Sequence, residues 1–180
     1  MEYIIRNVRE SYSENLPVSL ELIKNFLNIH NNEQDLLIRE LAVMAVQYAE
    51  WYVGQAIAIQ KWKLICIGNI PSTFELPFSP IIEIHQVSFN NTNKVQDLQN
   101  TQDYRFIINT EMLEINRYLG KGELVVIYSS GYTDNNLPQQ FKEGILHHVA
   151  YAYNNNTDNP RFLNFLKKIY SPLKKLKIMI

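Results

Sequence analysis

The chain has 180 residues, 46% hydrophobic and 19% charged, with a formal net charge of -1. That is ample apolar material for one domain and excludes a disordered tail, while the near-neutral balance gives no global electrostatic reason to bind DNA, RNA or an anionic membrane. The single cysteine, Cys66, excludes an intrachain disulfide framework and a multi-cysteine zinc site within one subunit.

Residues 1–16 read as a polar arm ending at Pro17. Its apolar patch is too short for a secretory signal, and no apolar run approaches membrane-spanning length, so the expectation is a soluble protein of a reducing compartment. A first helix is predicted from Ser19, whose hydroxyl can cap the free amides of the first turn. Glu21 faces the positive end of its dipole, and Leu22, Ile23, Phe26 and Leu27 supply its apolar stripe.

A second helix is predicted from about Glu33 to Val53, stopping at Gly54. Leu37, Leu41, Met44, Tyr48 and Trp51 recur at four- and three-residue steps and form one face of large side chains. A second face carries Ile38, Ala42, Ala45, Val46, Ala49 and Val53, leaving a narrow polar wedge for Arg39, Glu40, Gln47 and Glu50. A helix this apolar around its circumference has two packing partners, and the second can be another subunit. The small-residue face, Ile38, Ala42, Val46, Ala49 and Val53, either packs on the chain's other helices or forms one side of a subunit contact.

From Ile57 the pattern becomes strand-like. IAIQKWKLICI places Trp62, Leu64 and Cys66 on one face, and STFEL, IIEIHQVSF, DYRFIIN, EMLEIN and GELVVIYSS are further strand candidates. Pro71, Pro77 and Pro80 belong at edges or turns, and NNTNK (Asn90–Lys94) reads as a hairpin tip. The joins are too short for crossover helices, so the middle is antiparallel. A third helix follows Pro138 and ends at Asn154–Asn156; a last one runs from about Asn159 to Tyr170. The expected fold is α+β: a helical pair (19–53), a β section with a hairpin (57–130) and C-terminal helices (137–170). Together these make one domain over 17–170, with a basic tail at 171–180.

Candidate chemistry is sparse. Glu143 and His147 stand at i and i+4 and could share a metal, but no second Glu/His pair supports them, and the stronger reading is a packed His148 beside a solvated His147. Cys66 points toward packing and has no histidine near it in sequence. GKGE (Gly120–Glu123) lacks the remaining signature of a phosphate loop and reads as a hairpin turn, and Glu111, Glu114 and Glu123 read as solvated strand faces. No catalytic residue, metal site or cofactor is expected. The basic C-terminal residues Lys167, Lys168, Lys174, Lys175 and Lys177 can contact phosphates, dock in an acidic or apolar protein groove, or stay solvated.

Several stretches, in order, resemble the head–tail connector (adaptor) proteins of tailed bacteriophages, also labelled DNA-packaging connectors. They are PVSLELIKNFL (Pro17–Leu27), QYAEWYVGQAI (Gln47–Ile57), QKWKL (Gln60–Leu64), ELPFSPI (Glu75–Ile81), DYRF (Asp103–Phe106), VVIYSSGY (Val125–Tyr132) and LPQQFKEGILHHVAYAY (Leu137–Tyr153). Two features depart: asparagine replaces the Asp-Gly turn often seen in the hairpin, and Gly144 stands where alanine is usual. The resemblance implies a non-enzymatic virion protein, found in the particle and in the bacterial cytoplasm during assembly. It implies a ring of self-associated subunits beneath the portal, dodecameric when assembled on it, that extends the DNA channel. Its partners would be the portal protein and a tail-side connector or stopper, with DNA passing without sequence-specific binding and no membrane involved. A prophage remnant or gene-transfer particle fits the same picture.

On that basis the segment carrying Lys167, Lys168, Tyr170, Leu173, Lys174, Lys175, Leu176 and Lys177 is expected to dock on the portal. The hairpin residues Asn90, Asn91, Asn93 and Lys94 are expected to face ring neighbours or the tail side. The alternative is a nucleic-acid-binding packaging factor using the basic C-terminus. An enzyme built on Glu143, His147 or Cys66 comes third.

Overall fold

The computed structural model describes residues 3–91, 94–133, 135–154 and 160–174. In chain order the elements are β1 (Tyr3–Tyr12), α1 (Leu20–Leu27), α2 (Asp35–Val53), β2 (Gln60–Asn69), β3 (Thr73–Glu75), β4 (Ile81–Asn91), β5 (Lys94–Asp97), β6 (Tyr104–Ile107), β7 (Met112–Ile115), β8 (Lys121–Ser130), α3 (Gln139–Tyr153) and α4 (Pro160–Tyr170). The fold is α+β, with antiparallel sheets. The chain packs as two compact units, each built from two separate stretches: 1–12 with 59–131, and 13–58 with 132–180.

The first unit is all β. Its larger sheet runs β1-β2-β8-β4-β5 and its smaller one β3-β7-β6. The region expected as a free arm is strand β1, paired antiparallel with β2 from Tyr3 opposite Gly68 to Tyr12 opposite Gln60. Alternation on β2 and β8 puts Leu64, Cys66, Leu124, Val126 and Tyr128 inside, where they join Phe74, Leu76, Val87, Phe89 and Leu113 in one core. GKGE is not a hairpin tip but the entry to β8: Gly120 takes a left-handed φ of 74°, and the strand begins at Lys121. A Cβ at Gly122 would overlap Phe89 and the Asn90 carbonyl, so β4 passes too close there for any side chain.

Among the described residues the elements of the second unit are all helices. Ser19 caps α1 as expected, its Oγ accepting from the Leu22 amide at 3.2 Å. On α2 the small-residue face is the inner one: Ile38, Ala42, Ala45, Val46, Ala49 and Val53 are all buried. Ile23 of α1, Phe141, Ile145 and Val149 of α3 and Phe162, Leu166 and Tyr170 of α4 add the other large buried side chains of its helices. Glu50, expected in a polar wedge, has a structural task. Its Oε1 accepts from the amides of Ile57 (2.8 Å) and Ala58 (3.0 Å), fixing the turn that leaves α2 at Gly54.

Candidate interaction surfaces

The chemistry considered for the histidine pair is taken up by packing. His148 is half-buried, with its ring edge-on to Tyr48 (5.1 Å) and to Phe162 (5.8 Å), and its Nδ1 is buried without a hydrogen-bond partner. Burial pushes its imidazole below the ordinary range, because the charged form would lose hydration with nothing to replace it. His147 is exposed and stands between the rings of Phe26 and Phe165, 5.3 Å from each, while Glu143 accepts from Gln139. Cys66 is fully buried in the β core, and burial pushes its thiol up, the wrong direction for a nucleophile. Among the described residues no group of three His, Cys, Asp or Glu side chains could hold a metal ion.

The proposed surfaces fare differently. Ile38, Ala42, Val46, Ala49 and Val53 are at most 2% exposed, so of their two possible roles burial supports packing within the chain. A neighbour cannot reach them. What α2 presents outward is the large-residue face: Leu37 is 46% exposed, Met44 61% and Trp51 75%, with Leu36 beside them at 71%. The physical reason is close approach: small side chains let α2 sit tightly on its own helices, and the bulky row is left outside.

In the C-terminal segment, Lys167 and Lys168 are exposed on α4, but Tyr170 is fully buried and so cannot be a docking residue. Its ring lies 6.1 Å from Phe141 and 6.4 Å from Tyr52, directly over Gly144, where a Cβ would overlap it. The departure to glycine at 144 therefore makes room for Tyr170. A 3-10 turn, Ser171–Leu173, follows, held by Gln55 Nε2 donating to the Leu173 carbonyl (2.6 Å). Lys174 stands 5.2 Å over the Tyr52 ring. Lys175, Leu176 and Lys177 lie outside the described residues.

The hairpin forms where the asparagines placed it, with Asn90 opposite Val95 and Asn91 opposite Lys94. Asn91 is exposed and Asn90 half-buried, while Asn93 lies outside the described residues. Sequence reasoning missed a further surface, a groove of about 400 Å³ lined by His147, Tyr151, Arg161, Phe162 and Phe165. Tyr151 and Phe162 stack there at 3.6 Å. Its only sequence signal was the aromatic spacing on the last two helices.

The profile of the phage gp6-like head-tail connector protein family matches residues 17–118, more than half of the chain. The chain belongs to this family. Among curated proteins none matches it. Among solved structures the connector chain is similar to a chain from the neck of an empty gene transfer agent (GTA) particle computed with C6 symmetry. That match has TM-score 0.75 and 10% identity, covering 98% of this chain and 97% of the other. It is also similar to a chain of the virion of a native gene transfer agent particle (TM-score 0.74, 11% identity, 98% and 97% covered). A third match is to the neck of a native particle computed with C12 symmetry (0.70, 11%, 96% and 97%). At these identities the likeness establishes a shared fold along nearly the whole connector chain, both units included.

Proposed function

We propose that this connector is a structural subunit of the neck of a phage or phage-like particle. In this reading copies of the chain form a ring below the portal, continue the DNA channel and join capsid to tail, and no substrate is turned over. The observation that carries the reading is the family match over residues 17–118. Near-complete correspondence with chains from gene-transfer-agent necks supports it, and the twelvefold symmetry of one of those necks supports a ring.

The portal contact is assigned to the exposed basic end. Lys167, Lys168, Leu173 and Lys174 are its described part, and Lys175, Leu176 and Lys177 follow in sequence. Tyr170 anchors that end in the helical core instead of meeting a partner. The hairpin residues Asn90, Asn91, Asn93 and Lys94, of which Asn91 is exposed, are assigned to a ring neighbour or the tail-side protein. A net charge of -1 suits a conduit, because a channel lined by many phosphate-binding cations would grip DNA instead of letting it slide.

The test is genetic and structural together. Deleting the gene in a producing host should leave DNA-filled heads without tails, and a tagged chain should co-purify with particles at the neck. Normal tailed particles without the chain would overturn the reading. The exposed cations Lys167, Lys168 and Lys174 favour a second reading, a nucleic-acid-binding packaging factor. Steep salt-dependent DNA affinity of the isolated chain would select it.

A further inference from the structure

We infer that the ring contact joins the outer face of α2 on one copy to the aromatic groove between α3 and α4 on the next. This rests on the neck reading above and names the surfaces through which copies would meet. Leu37, Met44 and Trp51 stand at seven-residue intervals, so they form a straight row along α2, about 21 Å long at 1.5 Å per residue. All three are exposed, as is Leu36 beside Leu37, so the outer face of α2 carries an ordered apolar row instead of scattered single residues. Leu41 and Tyr48, half-buried beside the row, complete the alternating four- and three-residue spacing. That spacing is the one that lets a helix seat knobs into holes on facing helices, so the occupant it fits is helical.

The same chain carries a helical receiver. Phe26, His147 and Phe165 form a line of rings across α1, α3 and α4, and beside it the groove holds Tyr151 and Phe162 with Arg161 on its rim. Phe26 and Phe165 are each 42% exposed, large side chains that a neighbour would cover.

Charge sets the pairing. Glu40 lies on the outer face of α2 among the apolar row, with Glu33 just ahead of the helix, and both are exposed. Helix α4, PRFLNFLKKIY, has no acidic residue. Arg161 and Lys168 fall on its Phe165 side, whereas Lys167 points about 160° away from Phe165 on a helical wheel. An apolar strip edged by carboxylates thus matches an aromatic groove edged by cations. The two surfaces differ, so one copy's strip fills the next copy's groove and leaves its own groove open. This is a head-to-tail contact, the type that generates a ring when the rotation from copy to copy closes.

The experiment uses the full chain. Its self-association is followed by sedimentation across a concentration series, and its incorporation is followed in assembled particles. Trp51→Ala should weaken association about thirtyfold, the effect of losing a central aromatic anchor, with an unchanged unfolding midpoint because the side chain is exposed. Glu40→Lys and Lys168→Glu should each weaken it about tenfold, and the double reversal should restore it to within about threefold of the parent. If the parent chain associates and these single variants associate equally well, or if the double reversal restores nothing, the assignment of surfaces is wrong while the neck reading stands. If the parent chain associates neither alone nor in particles, the neck reading fails and takes this contact with it.

Discussion

Replacing Gly144 by alanine tests the helical core most directly. In an exposed helix the change would stabilise by about 1 kcal/mol, because alanine loses less backbone entropy than glycine. Here the added methyl overlaps the Tyr170 ring, which is fully buried and held between Phe141 and Tyr52. A boxed ring cannot swing aside, so the overpacking should fall at the upper end of the usual range of about 1–3 kcal/mol. The net expectation is a loss of about 1–2 kcal/mol, or roughly 2–8 °C in Tm for a chain of this size. Thermal and urea unfolding followed by far-UV circular dichroism measure it. In a Tyr170→Leu background the same Gly144→Ala change should become neutral or stabilising, because the atoms it meets are gone; the cycle isolates the contact. A Gly144→Ala protein at least as stable as its parent would refute the argument, and so would an equal loss in both backgrounds.

Other expectations follow from the same coordinates. Glu50→Ala strips the Ile57 and Ala58 amides of their shared acceptor and should cost about 1–3 kcal/mol in urea unfolding, with Glu50→Gln recovering part of it. Burial lowers the folded-state pKa of His148, while the unfolded chain protonates it near its ordinary value of about 6.5. The unfolded state therefore binds more protons as pH falls, so stability is full above about pH 6.5 and declines below it. Urea unfolding at pH 7.5 and 5.5 should show this decline in the parent and a smaller one in His148→Phe; equal declines would mean that the ring is not desolvated. Ending the chain after Lys174 keeps every buried side chain of the described residues and should leave the unfolding free energy within about 1 kcal/mol of the parent. Ending it after Lys168 removes Tyr170 and should cost at least 3 kcal/mol, the usual loss for a large core side chain.

The helices were legible because their period and caps are local. Ser19 with its free amides, the stop at Gly54 and the start after Pro138 all sit within a few residues of what they control. What could not be read was which apolar face of α2 turns inward, since both have helical period. The choice belongs to the neighbours, which lie far along the chain. Strand β1 escaped for a related reason: nearly every residue in it is exposed, so it shows no buried alternation, and its partner β2 begins only at Gln60. Tyr170 stands among lysines, which give its segment the composition of a surface. The spacing Phe162, Leu166, Tyr170 marks one helical face and was the available sign. Family membership was readable from an ordered series of motifs; the surfaces through which copies would meet were not, because exposure is a property of the folded chain.

The threading of the two units carries a consequence for synthesis. As the chain leaves the ribosome, β1 emerges well before β2, and α1 and α2 emerge before the intervening sheet and long before α3 and α4. Until residue 153 is made, the Ile38–Val53 face of α2 lacks the partners that later cover it. A nascent chain in that state offers a sticky helix pair to its surroundings, so a premature stop after β8 should yield insoluble material even though every strand has been translated. Neither unit can be excised by a single cut at each end, and any attempt to express one alone would first require rejoining its two halves with a new linker.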